Sequence, residues 1–172
     1  MGVPSGYTSA QVVQAVPVPK GIVQVVSTTK TDTFTTTSTT FTDVTGLSVS
    51  ITPTSASNKI FILVTLTGQG LTATASLQGR LMRDSTAIAI GDTAGSRARV
   101  SLGNLDAGGS SQLSSPIMFL DSPATTSAIT YKIQILCNQT PNTVFVNRSS
   151  TDTDSVQFGR GISTITVMEV IV

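Results

Sequence analysis

The sequence is short of the residues on which most enzyme chemistry depends. It contains no histidine, no tryptophan and one cysteine, Cys137. The lack of histidine excludes Ser-His-Asp and Cys-His catalysis and imidazole metal sites, and a single cysteine excludes an intramolecular disulfide. No cationic neighbour in the sequence would activate Cys137, so we interpret it as a buried structural thiol. We expect neither a catalytic site nor a cofactor.

Charge is also scarce. Charged residues make up 11% of the 172 residues, and the net charge is +1, whereas an ordinary soluble domain has about 25% charged residues. Serine and threonine together approach a third of the chain. No basic stripe indicates nucleic-acid binding. A sparsely charged surface protects poorly against association, which favours a protein packed beside copies of itself over a soluble monomer.

Long apolar runs are absent as well. No run approaches the roughly 18 residues that a membrane helix needs. The start of the chain lacks the basic region followed by an apolar core that marks a signal peptide. We therefore expect no membrane insertion, and synthesis in the cytoplasm of a host cell.

The acidic residues are scattered, with one close pair, Asp152 and Asp154 in STDTDS. This pair could contribute to a calcium site, but such a site needs more oxygen ligands, and we interpret the segment as a turn without a metal. Glu169 is the one acid in an apolar context, VMEVI. We expect it to point outward from the last strand or to pair with an arginine across a subunit interface.

The chain is rich in strand patterns. From Gly21 onward, β-branched or alternating runs are separated by turns rich in Gly, Asp, Asn and Ser. KIFILVTL is apolar on both faces, which predicts a central strand covered on each side. RLMRDSTAIAI predicts a hairpin with Asp84 and Ser85 near its tip. About eight to ten strands without a convincing helical period predict an all-β antiparallel sandwich or barrel.

Residues 29–46, TKTDTFTTTSTTFTDVTG, hold ten threonines. Threonine is β-branched and favours strands, and disordered spacers rarely carry phenylalanine. We predict a folded edge hairpin in which Phe34 and Phe41 dip into the core and residues 35–40 face solvent. A disordered spacer is the alternative.

Residues 1–20 differ from the rest of the chain. One or two helical turns could end at Pro17, and Pro17 and Pro19 then impose an extended exit. We predict that this segment is an anchoring arm and that residues 21–172 form the sandwich; a frayed terminus is the alternative. The side chains that would anchor the arm are Tyr7, Val12, Val13 and Val16.

Arginine supplies most of the positive charge, and it favours planar, paired contacts at interfaces. Arg97 and Arg99 in GDTAGSRARVS and Arg160 in QFGRGIS lie in loop-to-strand segments. We predict that these three arginines, together with Glu169, lie at a subunit interface. Solvated surface arginines are the alternative.

Several long segments resemble a known family: GIVQVVSTTKTDTFTTTSTTFTDVTGLSVSITPTSASNKI, GRLMRDSTAIAIGDTAGSRARVS, DSPATTSAITYKIQI and TDTDSVQFGRGISTITVMEVIV. They are similar to small structural proteins of tailed bacteriophages, especially those of marine and cyanobacterial hosts. SGYTSAQVVQAVP resembles a segment shared among virion proteins of such phages. The resemblance covers nearly the whole chain and carries no catalytic motif. It implies an antiparallel jelly roll similar to the tumour-necrosis-factor and C1q heads, which assemble as trimers and end on a central strand, as ISTITVMEVIV would here.

These observations lead to the expectation of a non-enzymatic protein on the surface of a phage particle. The first interpretation is a homotrimeric capsid decoration or cement protein whose arm binds the major capsid protein or another virion protein. The alternative is a tail-fibre or head-fibre protein whose jelly-roll head binds the host surface, where a glycan is a candidate partner. The lack of shaft repeats favours the first. A polysaccharide depolymerase is disfavoured by the missing histidine and the few acids.

Overall fold

The computed structural model describes residues 21–70, 75–106 and 111–172, so the predicted arm with Tyr7, Val12, Val13 and Val16 lies outside the described residues. Within these ranges the chain forms eleven strands and no helix; no segment there could cross a membrane as a helix. The strands are β1 (Ile22–Lys30), β2 (Phe34–Thr36), β3 (Thr42–Ile51), β4 (Lys59–Gly70), β5 (Leu77–Arg83), β6 (Thr86–Ile88), β7 (Leu102–Leu105), β8 (Leu113–Asp121), β9 (Ile129–Cys137), β10 (Val144–Val146) and β11 (Ser163–Val170).

The strands form two antiparallel sheets. Sheet A has the order β1-β11-β4-β10-β2, with β8 on the other side of β4. Sheet B has the order β3-β9-β5-β6, and β7 also pairs with β5. In sheet A, β11 and β10 follow one another along the same side of β4, because β11 pairs with residues 59–65 and β10 with residues 68–70. The predicted all-β antiparallel sandwich is confirmed.

The strand pairs are nested around the tight turn at Asp84 and Ser85. Moving outward from this turn, β5 pairs with β6 and β7, β4 with β8, β3 with β9, β2 with β10 and β1 with β11. From the turn outward, the first four pairs alternate between sheet B and sheet A, as in a long hairpin that has been rolled up, and the fifth pair, β1 with β11, also lies in sheet A. This arrangement is a jelly roll. The predicted jelly roll and the predicted hairpin are both confirmed, since Arg83 pairs with Thr86 across the turn.

The hydrophobic core lies between the two sheets. Alternate residues of β4, β9 and β11 are buried because successive side chains of a strand point to opposite faces of the sheet. The largest apolar side chains without measurable exposure come from both sheets: Leu47, Ile60, Ile62, Leu66, Leu77, Leu81, Ile133, Ile135 and Ile165. Cys137 is buried too, as the sequence predicted.

One polar cluster ties the two sheets together at the edge of this core. The hydroxyl of Tyr131 in β9 donates to Asp121 Oδ2 in β8 at 2.7 Å. Arg83 in β5 donates from one terminal nitrogen to both carboxylate oxygens, at 2.9 and 3.0 Å. Burial raises the pKa of Tyr131, and its hydrogen bond to Asp121 raises it further. Asp121 therefore joins a strand of sheet A to two strands of sheet B.

The threonine-rich segment is folded, but the prediction of a hairpin was wrong. Its β2 part pairs with β10 in sheet A, whereas β3 pairs with β9 in sheet B, so the segment crosses between the sheets. Phe34 packs against the core as predicted. Phe41 does not: its ring lies 4.0 Å below the guanidinium of Arg80. Threonine content predicts a strand but carries no information about which strand it pairs with.

Candidate interaction surfaces

The outer face of sheet A is uncovered at one end. The sequence predicted that β4 would be covered on each side, and the structure places β4 in the centre of sheet A but covers its inner face alone. Ile60 and Ile62 are fully buried there. Phe61 and Leu63 point outward and keep part of their surface exposed. No described element lies over this end of the face, so among the described residues the expected cover on the second side is missing here.

Twelve outward side chains form three rows across β1, β11, β4 and β8, and we call these rows the open face. The strand register defines the rows as Val25–Met168–Phe61–Leu120, then Ser27–Thr166–Leu63–Met118, then Thr29–Thr164–Thr65–Pro116. Met118 is 69% exposed, Val25 55% and Leu120 47%. None of the twelve is charged, and the first two rows are mainly apolar.

The other end of the same face is covered by the loop between β10 and β11, residues 147–162. Arg148 in this loop stacks over Phe145 with 4.6 Å between guanidinium and ring centroid, and Phe145 is 6% exposed. The backbone N–H of Ser150 donates to Gln69 Oε1 at 2.9 Å. The chain thus buries one end of the outer face of sheet A with its own loop, and no described residue covers the open face.

The outer face of sheet B carries charges that satisfy one another, and we call it the charged face. Asp43 accepts hydrogen bonds from Lys132 Nζ and Gln134 Nε2, both at 2.7 Å. Gln134 Oε1 accepts two from Arg80, at 2.9 and 2.7 Å, and Arg80 also stacks on Phe41. The hydrogen bond from Lys132 is the main reason that the pKa of Asp43 is lowered. Partial burial lowers the pKa of Arg80.

Glu169 is fully buried, so the expectation that it points outward was wrong. Its Oε1 accepts from the backbone N–H and hydroxyl of Thr54 at 2.7 and 2.8 Å and from Asn58 Nδ2 at 2.6 Å. Its Oε2 accepts from Gln24 Nε2 at 2.6 Å. Burial by itself raises the pKa of Glu169, but hydrogen bonds from Asn58, Gln24 and Thr54 outweigh it and lower the pKa to about 2. The carboxylate has no exposed surface for an arginine of a second subunit.

The alternation within β11 explains this burial. Ile165, Val167 and Glu169 are two residues apart and share the inner face of the strand. The polar donors come from β1 and from the turn between β3 and β4, which lie beside this end of β11. Glu169 therefore closes one end of the sandwich instead of joining subunits.

The three arginines predicted at an interface lie in two different loops. Arg97 and Arg99 are exposed in the loop between β6 and β7, where Arg99 Nε donates to the carbonyl of Gly91 at 2.6 Å. Arg160 lies in the loop between β10 and β11 and forms a two-point ion pair with Asp152, at 2.9 and 2.8 Å. Their contact with a second subunit stays a prediction.

The segment with Asp152 and Asp154 forms part of a shallow depression of about 300 Å³, lined also by Phe158 and Arg160. Asp152 is held by Arg160 and by Arg148, whose terminal nitrogen lies 2.9 Å from Asp152 Oδ2. A cation at Asp152 would therefore compete with two guanidinium groups. In the described part of the chain, no three acidic or sulfur side chains are grouped for metal binding.

The residues of the open face were missed as functional candidates, although the sequence held a signal. Both KIFILVTL and SPIMFL are apolar at successive positions, so each presents apolar side chains to both sides of its sheet. In an antiparallel sandwich the chain usually covers one side, and the other side is polar. A second apolar side therefore marks a surface that something else covers.

The chain was compared with known families and structures. No family model and no curated protein matches it. A mutant VP2 protein of infectious bursal disease virus, in derived T=1 particles, is similar in structure, with 12% identity and a TM-score of 0.46 over 85% of this chain and 36% of that chain. The VP2 subviral particle of the same virus gives 11% identity, a TM-score of 0.46, and coverage of 86% and 41%. This chain thus spans less than half the length of those proteins. The likeness is distant, and the jelly roll is assigned from the strand order of this chain itself.

Proposed function

We propose that this chain is a non-enzymatic structural protein on the surface of a bacteriophage particle. It assembles as a homotrimer and decorates or cements the capsid. Residues 21–172 form the jelly-roll body, and residues 1–20 bind the major capsid protein or another virion protein. The chain is made in the cytoplasm of the host and needs no cofactor.

The open face is the observation that carries this proposal. The largest exposed apolar patch of a protein is often a functional contact surface. Here it occurs on a sheet of a chain in which 11% of the residues are charged, and such a composition protects poorly against association. Both features are typical of a subunit that functions within a permanent assembly. The sequence resemblance to phage structural proteins supplies the kind of assembly.

A fibre protein that binds the host surface is the second candidate, and the depression beside Phe158 favours it. An aromatic ring next to charged and hydroxyl groups is a common composition of ligand sites, and a host glycan could contact Phe158, Asp154 and Arg160. The neighbouring Val156 is fully exposed at the tip of the same loop. Such a tip would need a separate shaft protein.

The number of copies per particle tests the proposal and separates the two candidates. Quantitative mass spectrometry of purified particles of the phage that encodes the chain would compare it with the major capsid protein, using a tail protein as an internal low-copy standard. We expect on the order of hundreds of copies, as symmetric decoration of a lattice requires. A few to a few tens would replace decoration by the fibre function, and absence from particles would contradict both.

A further inference from the structure

We propose that the open face is the surface through which copies of this chain meet. The inference deepens the function proposed above, since it names the contact inside the homotrimer, and it rests on that function only for the number of copies. Its starting point is the contrast within sheet A. The loop of residues 147–162 buries Phe145 at one end, whereas Met118 and Val25 at the other end are more than half exposed.

The chemistry of the open face suits a second copy of the same face. Identical faces that meet bring identical groups near one another, so charged groups of one sign would repel. The twelve side chains include no charge, and the nearest charged side chain in the register is Lys59, beside Val170 at the rim. The remaining polar groups are hydroxyls of serine and threonine. A hydroxyl both donates and accepts a hydrogen bond. The hydroxyls of Ser27 and Thr166 pair with each other at 2.8 Å, and those of the third row can pair across the contact without a charge.

The edges of sheet A direct association to the face. Among the described strands, β8 and β1 are the edges beside the open face. Strand β8 carries Pro116, which has no N–H to offer an added strand. Strand β1 has a register shift between Ile22 and Gln24, and such bulges also discourage strand addition. Association by extension of the sheet is therefore disfavoured, and packing through the open face remains. In a closed trimer the three open faces turn toward a common threefold axis.

The size of the open face is adequate for the centre of an interface. Strand spacing and rise give the three rows an area of about 400 Å², against about 800 Å² per partner in an interface of standard size. Exposed Ile22 and Val23 extend the apolar surface at the rim. Since fully buried interface centres are apolar and their rims polar, a contact centred on Met118, Leu63 and Phe61 would follow the usual pattern.

The first test introduces a charge into the open face of the full-length chain. Met118→Glu places a carboxylate in the proposed contact, and Ser48→Glu is the matched control, an exposed position on β3 at the edge of the charged face. We expect light scattering to show oligomers for the unchanged chain and for Ser48→Glu, and an affinity at least about a hundredfold weaker for Met118→Glu. A monomeric unchanged chain, or equal effects of the two variants, would overturn the inference.

The second test does not depend on disrupting the assembly. Met118→Cys and Ser48→Cys each add one thiol beside the single natural cysteine, which is buried. We expect a polar maleimide to label the thiol at position 118 at least about tenfold more slowly than the thiol at position 48, and both at similar rates once the protein is diluted to monomers. Fast labelling at position 118 in the oligomer would contradict the inference. Slow labelling in a monomer would also contradict it and would point to residues 1–20 as the cover.

The two proposals can fail separately. Protein that forms oligomers through the open face but is missing from particles would leave this inference standing and contradict the virion function. Protein that is abundant in particles but monomeric in solution, with a freely labelled thiol at position 118, would do the reverse.

Discussion

The two outer faces of the sandwich differ in whether their side chains find partners within the chain. On the charged face, Asp43, Lys132, Gln134 and Arg80 satisfy one another within the chain. On the open face, Met118, Leu120 and Val25 meet nothing in the described part of the chain that would cover them. The two faces belong to a six-stranded and a five-stranded sheet that share one core.

This difference shows that the average composition of the chain conceals two surfaces with different composition. The low charge averaged over the sequence favoured a protein packed beside copies of itself but did not indicate which surface. The exposed charged side chains of the two outer faces are collected on the charged face. The open face is left without them. The charged face is therefore satisfied within the molecule, whereas the open face is the surface that we propose other copies of the chain cover.

The largest expected effect lies on neither face but between the sheets. Asp121→Ala removes the acceptor of both Tyr131 and Arg83. Because the buried Tyr131 hydroxyl and the half-buried Arg83 both lose their acceptor, we expect the free energy of unfolding to fall by about 3 kcal/mol, measured by urea denaturation at one protein concentration. Tyr131→Phe is the milder comparison, with a loss of about 1 kcal/mol. If a substitution on either outer face lowered the free energy of unfolding as much as Asp121→Ala, the outer faces would contribute to the stability of the fold as strongly as the contact between the sheets. The comparison of the two faces as surfaces would then be wrong.

The next effect concerns Glu169, at the end of the sandwich beside the open face. Its pKa is about 2 in the folded chain and ordinarily 4.5. A lowered pKa stabilises the folded state above the ordinary value, and this stabilisation is lost as the pH falls from about 4.5 to about 2. The shift corresponds to about 3 kcal/mol. We expect Glu169→Gln to be less stable at neutral pH and to lack this acid-dependent loss, as followed by thermal unfolding from pH 7 to pH 2. An unchanged acid profile in the variant would show that another group dominates.

The fold could be predicted from the sequence to a considerable extent. Alternation in LSVSIT and SAITYKIQI, turn residues between runs, and the Asp84–Ser85 hairpin are local signals, and each reappears in the structure. Partner choice is not local. The pairing of β2 with β10 joins residues more than a hundred positions apart, and no pattern inside the threonine-rich segment encodes it.

The candidate site was harder to predict, for a related reason. Glu169 was misplaced because its apolar neighbours suggested an isolated acid, whereas its donors Gln24, Thr54 and Asn58 are distant in sequence. Asn147 also depends on partners that are distant in sequence: it is fully buried, and its amide donates to the carbonyls of Lys30 and Asp32.

A smaller effect should separate apolar from ionic association. If copies meet through the open face, the contact is apolar and uncharged, and salt has little to screen. We expect the dissociation constant to change by less than about threefold between low salt and 1 M sodium chloride, with any change toward tighter binding. The measurement is light scattering over a dilution series. Dissociation of the oligomer at high salt would instead place the contact on charged groups such as those around Asp43.

The smallest effect should come from the charged face. Asp43→Ala removes the acceptor of Lys132 and Gln134, but these groups are partly exposed and water can replace the lost partner. We expect a loss of about 0.5 kcal/mol in the free energy of unfolding and no change in oligomeric state. For Leu63→Ser on the open face we expect the opposite result: the stability of the monomer changes little, and the oligomer becomes weaker. If Asp43→Ala were monomeric, the contact between copies would lie on the charged face and not on the open face. A surface substitution weakens an oligomer when the substituted residue lies in the contact.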